Sequence, residues 1–206
     1  TSFDFYGNLN QMGYITGNQD RARFISYAGG DLKFSENAKA AGWQRDIGVG
    51  DESGYRKLQM LTAFNMTIPG LPVIYYGDEI GMPGGNDPDS RRLMKFTGLT
   101  PLELATKENA TKLLNIRKDN MALMYGNFVT LQVTDKTYVF ARDYFDNSVI
   151  VLFNKSNESK EFSVTVPGWI NSEKLKASFG NDFSLKDKKL TIKLEPWSFE
   201  ILSANQ

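Results

Sequence analysis

The sequence predicts a chain of two classes joined in series, an α/β segment over residues 1–122 and an all-β domain over residues 123–206. Three observations carry that reading. The first is a nearly unbroken apolar run, Leu71 to Tyr76, rich in β-branched and aromatic residues. A half-exposed strand would alternate, so this run predicts a strand buried on both faces, as in a parallel sheet. The second is helical spacing on either side of that strand. The third is a switch to two-residue periodicity beyond about Ala122, with polar turns between short segments.

In the first segment, Met12 to Thr16 is a short strand ended by Gly17, and Arg21 to Ala28 a short helix ended by Gly29-Gly30. Residues 31–51 show little periodicity and several glycines, which predicts a long loop. Asp51 or Ser53 can cap a helix reaching about Met66, with Leu58, Leu61 and Phe64 on one face. Thr67 to Pro72 breaks that helix and feeds the apolar strand. Thr100-Pro101-Leu102-Glu103 has the form of a capping box with proline at the first helical position. The helix after it runs to about Asn120, carrying Ala110, Leu113, Leu114 and Arg117 at helical spacing.

Beyond Ala122, seven short strands are expected: Phe128–Val133, Thr137–Tyr144, Val149–Phe153, Phe162–Val166, Leu175–Phe179, Leu190–Leu194 and Ser198–Leu202. Turn signals at Asp146-Asn147, Pro167-Gly168 and Glu195-Pro196 separate several of them. Regular short strands with polar turns predict an antiparallel sandwich. Trp169 and Trp197 read as core aromatics of that domain.

Composition narrows the chemistry. The 24 basic and 24 acidic residues cancel, so no basic excess draws the chain to nucleic acid. No apolar run approaches the roughly 18 residues expected of a membrane span. The chain has no cysteine and no histidine, which removes disulfides, thiolate metal sites and the usual neutral-pH base. Acid–base chemistry must therefore rest on carboxylates. Asp87 and Asp89 lie near Gly84-Gly85, but their spacing does not extend into a calcium-binding ligand array, so no metal and no cofactor is expected.

Two motifs carry a resemblance. Pro69-Gly70-Leu71-Pro72-Val73-Ile74-Tyr75-Tyr76-Gly77-Asp78-Glu79 resembles the eighth-strand motif of the catalytic TIM (β/α)8 barrel in the α-amylase family of glycoside hydrolases. Gly84-Gly85-Asn86-Asp87-Pro88-Asp89-Ser90-Arg91-Arg92 is similar to the neopullulanase, cyclomaltodextrinase and maltogenic amylase group within it. Upstream, Tyr14 to Phe24 resembles the family's seventh-strand motif, F-x-x-N-H-D-x-x-R-F. The resemblance implies the seventh and eighth units of the barrel followed by the family's C-terminal β-sandwich. The family's nucleophile and general-acid motifs do not occur in the chain. It therefore looks like the C-terminal part of a larger enzyme, expected to be inactive alone and to need the N-terminal part of its own barrel as partner.

The resemblance also assigns roles. Asp20 matches the carboxylate that stabilises the oxocarbenium-like transition state, against the plainer alternative of a helix cap. Gln19 departs from the family histidine, keeping donors and an acceptor for sugar hydroxyls but no switchable charge. Asp87 and Arg91 match residues that bind the neighbouring sugar; the alternative is an ion pair pinning a glycine-rich loop. Glu79 reads as a support, Arg23 as structural or indirectly catalytic, and Trp43 as a stacking face. The implied activity is retaining hydrolysis of α-1,4-glucosidic bonds in a starch-derived α-glucan. The rival is a catalytically silent, amylase-like protein that binds glucan or serves as a scaffold.

Overall fold

The computed structural model describes residues 5–7 and 12–205. These residues divide into two compact units, one formed by Gly13–Asn65 with Pro72–Leu113, the other by residues 5–7, Met12, Met66–Leu71 and residues 114–205.

In the first unit, strand β1 (Gly13–Ile15) leads through a turn to helix α1 (Phe24–Ala28). Helix α1 starts later than the sequence predicts, and its N-cap is Arg23 with no side-chain cap bond. The stretch expected to be a bare loop contains helix α2 (Ala38–Gln44). Asn37 caps it by accepting from the amides of Lys39 and Ala40. A Gly30–Gly50 bridge closes the excursion, and Leu32, Ala38, Ala41 and Ile47 form a small core with Ala22. Seven helical residues were too few to declare a period among the surrounding glycines. Helix α3 (Ser53–Thr67) begins where expected, with the Asp51 carboxylate accepting from the Ser53 amide at 2.9 Å.

The predicted two-face-buried strand needs correction. Only Leu71–Val73 is strand (β2), paired with β1 in a two-stranded sheet, and its side chains alternate exposed and half-buried. Leu71 is 53% and Val73 38% exposed. An apolar run specifies burial only where other elements cover both faces. After β2, Gly77 adopts φ 87°, a left-handed conformation suited to glycine, and opens a 3₁₀ turn over Asp78–Ile80.

Helix α4 (Pro101–Asp119) starts with the expected reciprocal cap. The Thr100 amide donates to Glu103 Oε2 at 2.6 Å and the Glu103 amide to Thr100 Oγ1 at 3.3 Å. Burial keeps Glu103 harder to ionise, but Lys95 and the Thr100 contacts outweigh it and hold the carboxyl below its usual range. Thr106, Ala110, Leu113 and Arg117 form the buried stripe, while Leu114 falls outside it. No described helix is long and apolar enough to cross a membrane.

The second unit contains the all-β domain. Short helix α5 (Met121–Tyr125), not anticipated, precedes strands β3 (Asn127–Val133), β4 (Thr137–Tyr144), β5 (Asn147–Asn154), β6 (Lys160–Thr165), β7 (Lys176–Ala177), β8 (Phe183–Lys186), β9 (Lys189–Leu194) and β10 (Ser198–Asn205). Two antiparallel sheets result, in orders β3-β4-β5-β10-β7 and β6-β9-β8. Val139, Ala141, Ile150, Leu152 and Leu202 from the first sheet pack with Phe162, Val164, Leu190, Ile192 and Leu194 from the second. That shared core makes the domain a sandwich. Strand β8 escaped prediction because it is four residues long. It turns into β9 through Asp187 and Lys188 at φ 50° and 62°, as a two-residue hairpin requires.

The outer face of β4 carries Arg142, which has no exposed surface. Its guanidinium donates to the carbonyls of Thr67 at 2.8 Å, Leu123 at 3.1 Å and Gly126 at 3.0 Å. Those carbonyls lie at the ends of α3 and α5, where unsatisfied acceptors and the negative end of the helix dipole gather. Arg117 does the same for Met66, Ile68 and Gly70. Burial, with Arg117 nearby, pushes Arg142 down to about 9, so it remains a cation at neutral pH.

Candidate functional site

The predicted residues fall on two loops of the first unit, the one after β1 and the one from Gly84 to Arg92. Gln19 and Asp20 are both exposed, and the Gln19 amide donates to Asp20 Oδ2 at 3.1 Å. Asp20 is not the cap of α1, since Arg23 occupies that position without a capping side chain. The Asp20 amide is held by Asn18 Oδ1 at 2.9 Å. An open carboxylate therefore lies beside an amide that has further donors and an acceptor to offer.

On the second loop, Arg91 forms an ion pair with Asp87, and Lys39 Nζ stands 3.9 Å from Asp87 Oδ2. The Arg91 side chain is 50% exposed and that of Asp87 30%. The pair that fastens the loop is a different one. Arg92 grips Asp89 through two bonds of 2.8 and 2.9 Å, and Asp89 Oδ2 accepts from the Gly85 amide at 2.6 Å. Burial opposes ionisation of Asp89, but Arg92 and the Gly85 amide prevail and hold its carboxyl below the usual range. The two glycines are required by close approach: a Cβ on Gly84 would lie 2.8 Å from the Asp89 carbonyl, and one on Gly85 2.7 Å from that of Ala38. With Asp89 and Arg92 holding the loop, Asp87 and Arg91 remain at its surface.

Beneath both loops lies Arg23, only 1% exposed. Its guanidinium donates to the Ser90 carbonyl at 3.0 Å, the Tyr76 carbonyl at 2.7 Å and Asp78 Oδ1 at 2.9 Å. Its planar head lies 4.2 Å from the centre of the Tyr75 ring and 5.0 Å from that of Tyr76. Burial pushes the Asp78 carboxyl up despite the facing Arg23 charge. Tyr76, expected in the core, is 39% exposed and donates its hydroxyl to the Arg92 carbonyl. Trp43 is 72% exposed, on α2 rather than on a loop. Sequence reasoning overlooked Ser90, a fully buried hydroxyl donating to the Gln19 carbonyl at 2.8 Å. Nothing in the serine itself announces that contact; only the fold brings the residues together. In the sandwich unit, a separate cavity of about 600 Å³ is walled by Tyr6, Tyr125, Tyr144 and Phe145, and no predicted site residue borders it.

Exposed Asp20 and Gln19, with an aspartate–arginine pair on a second loop, form a donor and acceptor set suited to a neutral, hydroxyl-rich ligand. No family model matches the chain. A cyclomaltodextrinase of Thermoanaerobacter pseudethanolicus is 36% identical over 110 residues, 50% of this chain and 18% of that protein. A cyclomaltodextrinase of Geobacillus thermopakistaniensis is 28% identical over 193 residues, 90% of this chain and 28% of that protein. Among solved structures, an Anoxybacillus α-amylase matches with TM-score 0.73 and 26% identity, over 95% of this chain and 38% of that one. The chain is similar to the C-terminal portion of α-amylase family enzymes. It spans less than a third of the length of these curated relatives.

Proposed function

We propose that the chain supplies the seventh and eighth units of a (β/α)8 catalytic barrel, residues 1–122, and the following sandwich, residues 123–206, to a retaining α-glucan hydrolase. The substrate is a starch-derived α-1,4-glucan. The carboxylates acting as nucleophile and general acid belong to the preceding part of the barrel, and this chain alone is inactive. Exposed apolar side chains on β1 and β2, among them Ile15 and Val73, support a sheet that continues into further strands.

In this reading Asp20 stabilises positive charge developing on the reacting sugar, and Gln19 binds that sugar's hydroxyls. Asp87 accepts from paired hydroxyls of the next sugar while Arg91 donates to them. The observation that carries the proposal is the open Asp20 carboxylate beside Gln19, with the Asp87–Arg91 pair held at the surface of the neighbouring loop. Names of relatives such as cyclomaltodextrinase and amylopullulanase supply the substrate class.

The test is Asp20→Asn in the full-length protein. Cleavage of a maltooligosaccharide should fall roughly a hundredfold or more, the scale of losing a group aimed at transition-state charge. The melting temperature should stay within a degree or so, because no described partner of the Asp20 side chain is buried. Wild-type turnover in that variant would remove Asp20 from the mechanism. Glucan binding without cleavage by the wild-type protein would favour the silent scaffold, to which the Gln19 departure points.

A further inference from the structure

The two loops lie far apart in the chain, yet Gln19-Asp20 and Asp87-Arg91 must hold one register to act on adjacent sugars. Among the described residues, four hydrogen bonds tie the loop after β1 and the start of α1 to the Gly84–Arg92 loop. The Arg23 amide donates to the Gly84 carbonyl at 3.0 Å, the Gly84 amide to Ser26 Oγ at 3.1 Å, Arg23 Nε to the Ser90 carbonyl at 3.0 Å, and Ser90 Oγ to the Gln19 carbonyl at 2.8 Å. Arg23, Ser26 and Ser90 are all essentially without exposed surface.

These four bonds are not equivalent. Three involve Arg23, Ser26 and Gly84, below the exposed residues: one is backbone to backbone, and two run through the Ser26 hydroxyl and the Arg23 guanidinium. The fourth alone reaches the Gln19–Asp20 segment. It comes from Ser90, the residue adjoining Arg91 in the chain. We infer that Ser90 is a positioning residue, whose hydroxyl sets Gln19 and Asp20 in register with Arg91 and Asp87 without touching the sugar. This inference rests on the glucan reading above. Removing the hydroxyl leaves the other three bonds intact, so the loops stay folded while the Gln19–Asp20 segment loses its tether. Small misplacements of a reacting group are expensive, roughly a hundredfold in rate for about 1 Å.

The experiment measures kcat and KM of the full-length protein on a chromogenic maltooligosaccharide, for wild type, Ser90→Ala, Ser90→Cys, Gln19→Ala and Ser90→Ala with Gln19→Ala. Ser90→Ala should lower kcat about tenfold or more with KM changed less than threefold and the melting curve retained. Ser90→Cys, a weaker donor, should recover part of the loss. In the Gln19→Ala background, Ser90→Ala should cost less than it does alone, because one of the two side chains it positions is gone. Wild-type kcat in Ser90→Ala would overturn the inference. So would full multiplication of the two single losses, or a loss in both Ser90 variants that follows melting temperature. A wild-type protein that neither cleaves nor binds the oligosaccharide would instead sink the glucan reading, and the inference with it.

Discussion

Replacing Arg23 by methionine keeps the apolar stem and removes the guanidinium, which isolates the electrostatic part of its role. The change strips a donor from the carbonyls of Ser90 and Tyr76 and leaves the Asp78 carboxylate, 10% exposed at its side chain, without its cation. An orphaned buried charge costs about 3–5 kcal/mol, the scale of breaking a buried ion pair from one side. Each stranded carbonyl adds about 1 kcal/mol. The carbonyl contributions are partly offset by relaxation, so a total of roughly 4–6 kcal/mol is expected at pH 8. The cost should depend on pH, with a definite sign. The Asp78 carboxyl is already raised by burial, and losing Arg23 raises it further. The folded state then binds a proton that the unfolded chain has released, so stability falls as pH climbs from the unfolded value through the folded one. At pH 5 the penalty should shrink to roughly 2–3 kcal/mol as the carboxyl neutralises. Urea denaturation of the full-length protein at both pH values measures it directly. Adding Asp78→Asn to Arg23→Met should recover about half the loss at pH 8 and little at pH 5, since it removes the charge but not the stranded carbonyls. A penalty below about 1 kcal/mol, or one equal at the two pH values, would refute the argument that Arg23 is there to neutralise Asp78.

Two further outcomes test the scaffold around the site. Phe162 is 1% exposed at the centre of the shared sandwich core, so Phe162→Ala should cost about 3–5 kcal/mol in denaturation midpoint energetics. The same variant should leave the affinity for glucan unchanged, which equilibrium binding would check. Thr100→Ala breaks the reciprocal cap of α4 and should cost about 1 kcal/mol, read as a lower thermal midpoint. The Glu103 contribution in that cap should also weaken on acidification, because a carboxyl held below its usual range stabilises above the unfolded value and loses that effect as pH falls through the folded one.

Elements whose physics is local are legible in the sequence. Thr100-Pro101-Leu102-Glu103 marks the start of α4 because a capping box satisfies orphan amides within four residues. The sandwich strands β4, β5, β6, β9 and β10 are legible from two-residue periodicity between turns. The motifs around Asp20 and Asp87 likewise carry the resemblance to α-amylase family enzymes. What depends on distant partners could not be read this way. The run from Leu71 promised burial on both faces, yet burial is a property of what covers a strand, and in this chain it has one partner strand. Helix α2 was hidden because its stability comes from Asn37 and from packing against Ala22 and Leu32 rather than from its own short period. The division of labour in the second loop also needed coordinates: Asp89 and Arg92 tie it down, which leaves Asp87 and Arg91 at the surface. Ser90 shows the limit most sharply, since its hydroxyl reaches a carbonyl 71 positions away, a contact no pattern of neighbours encodes. Residue types fix which groups can donate, accept or carry charge; tertiary structure alone fixes which of them meet, because only folding sets the distance over which those forces act.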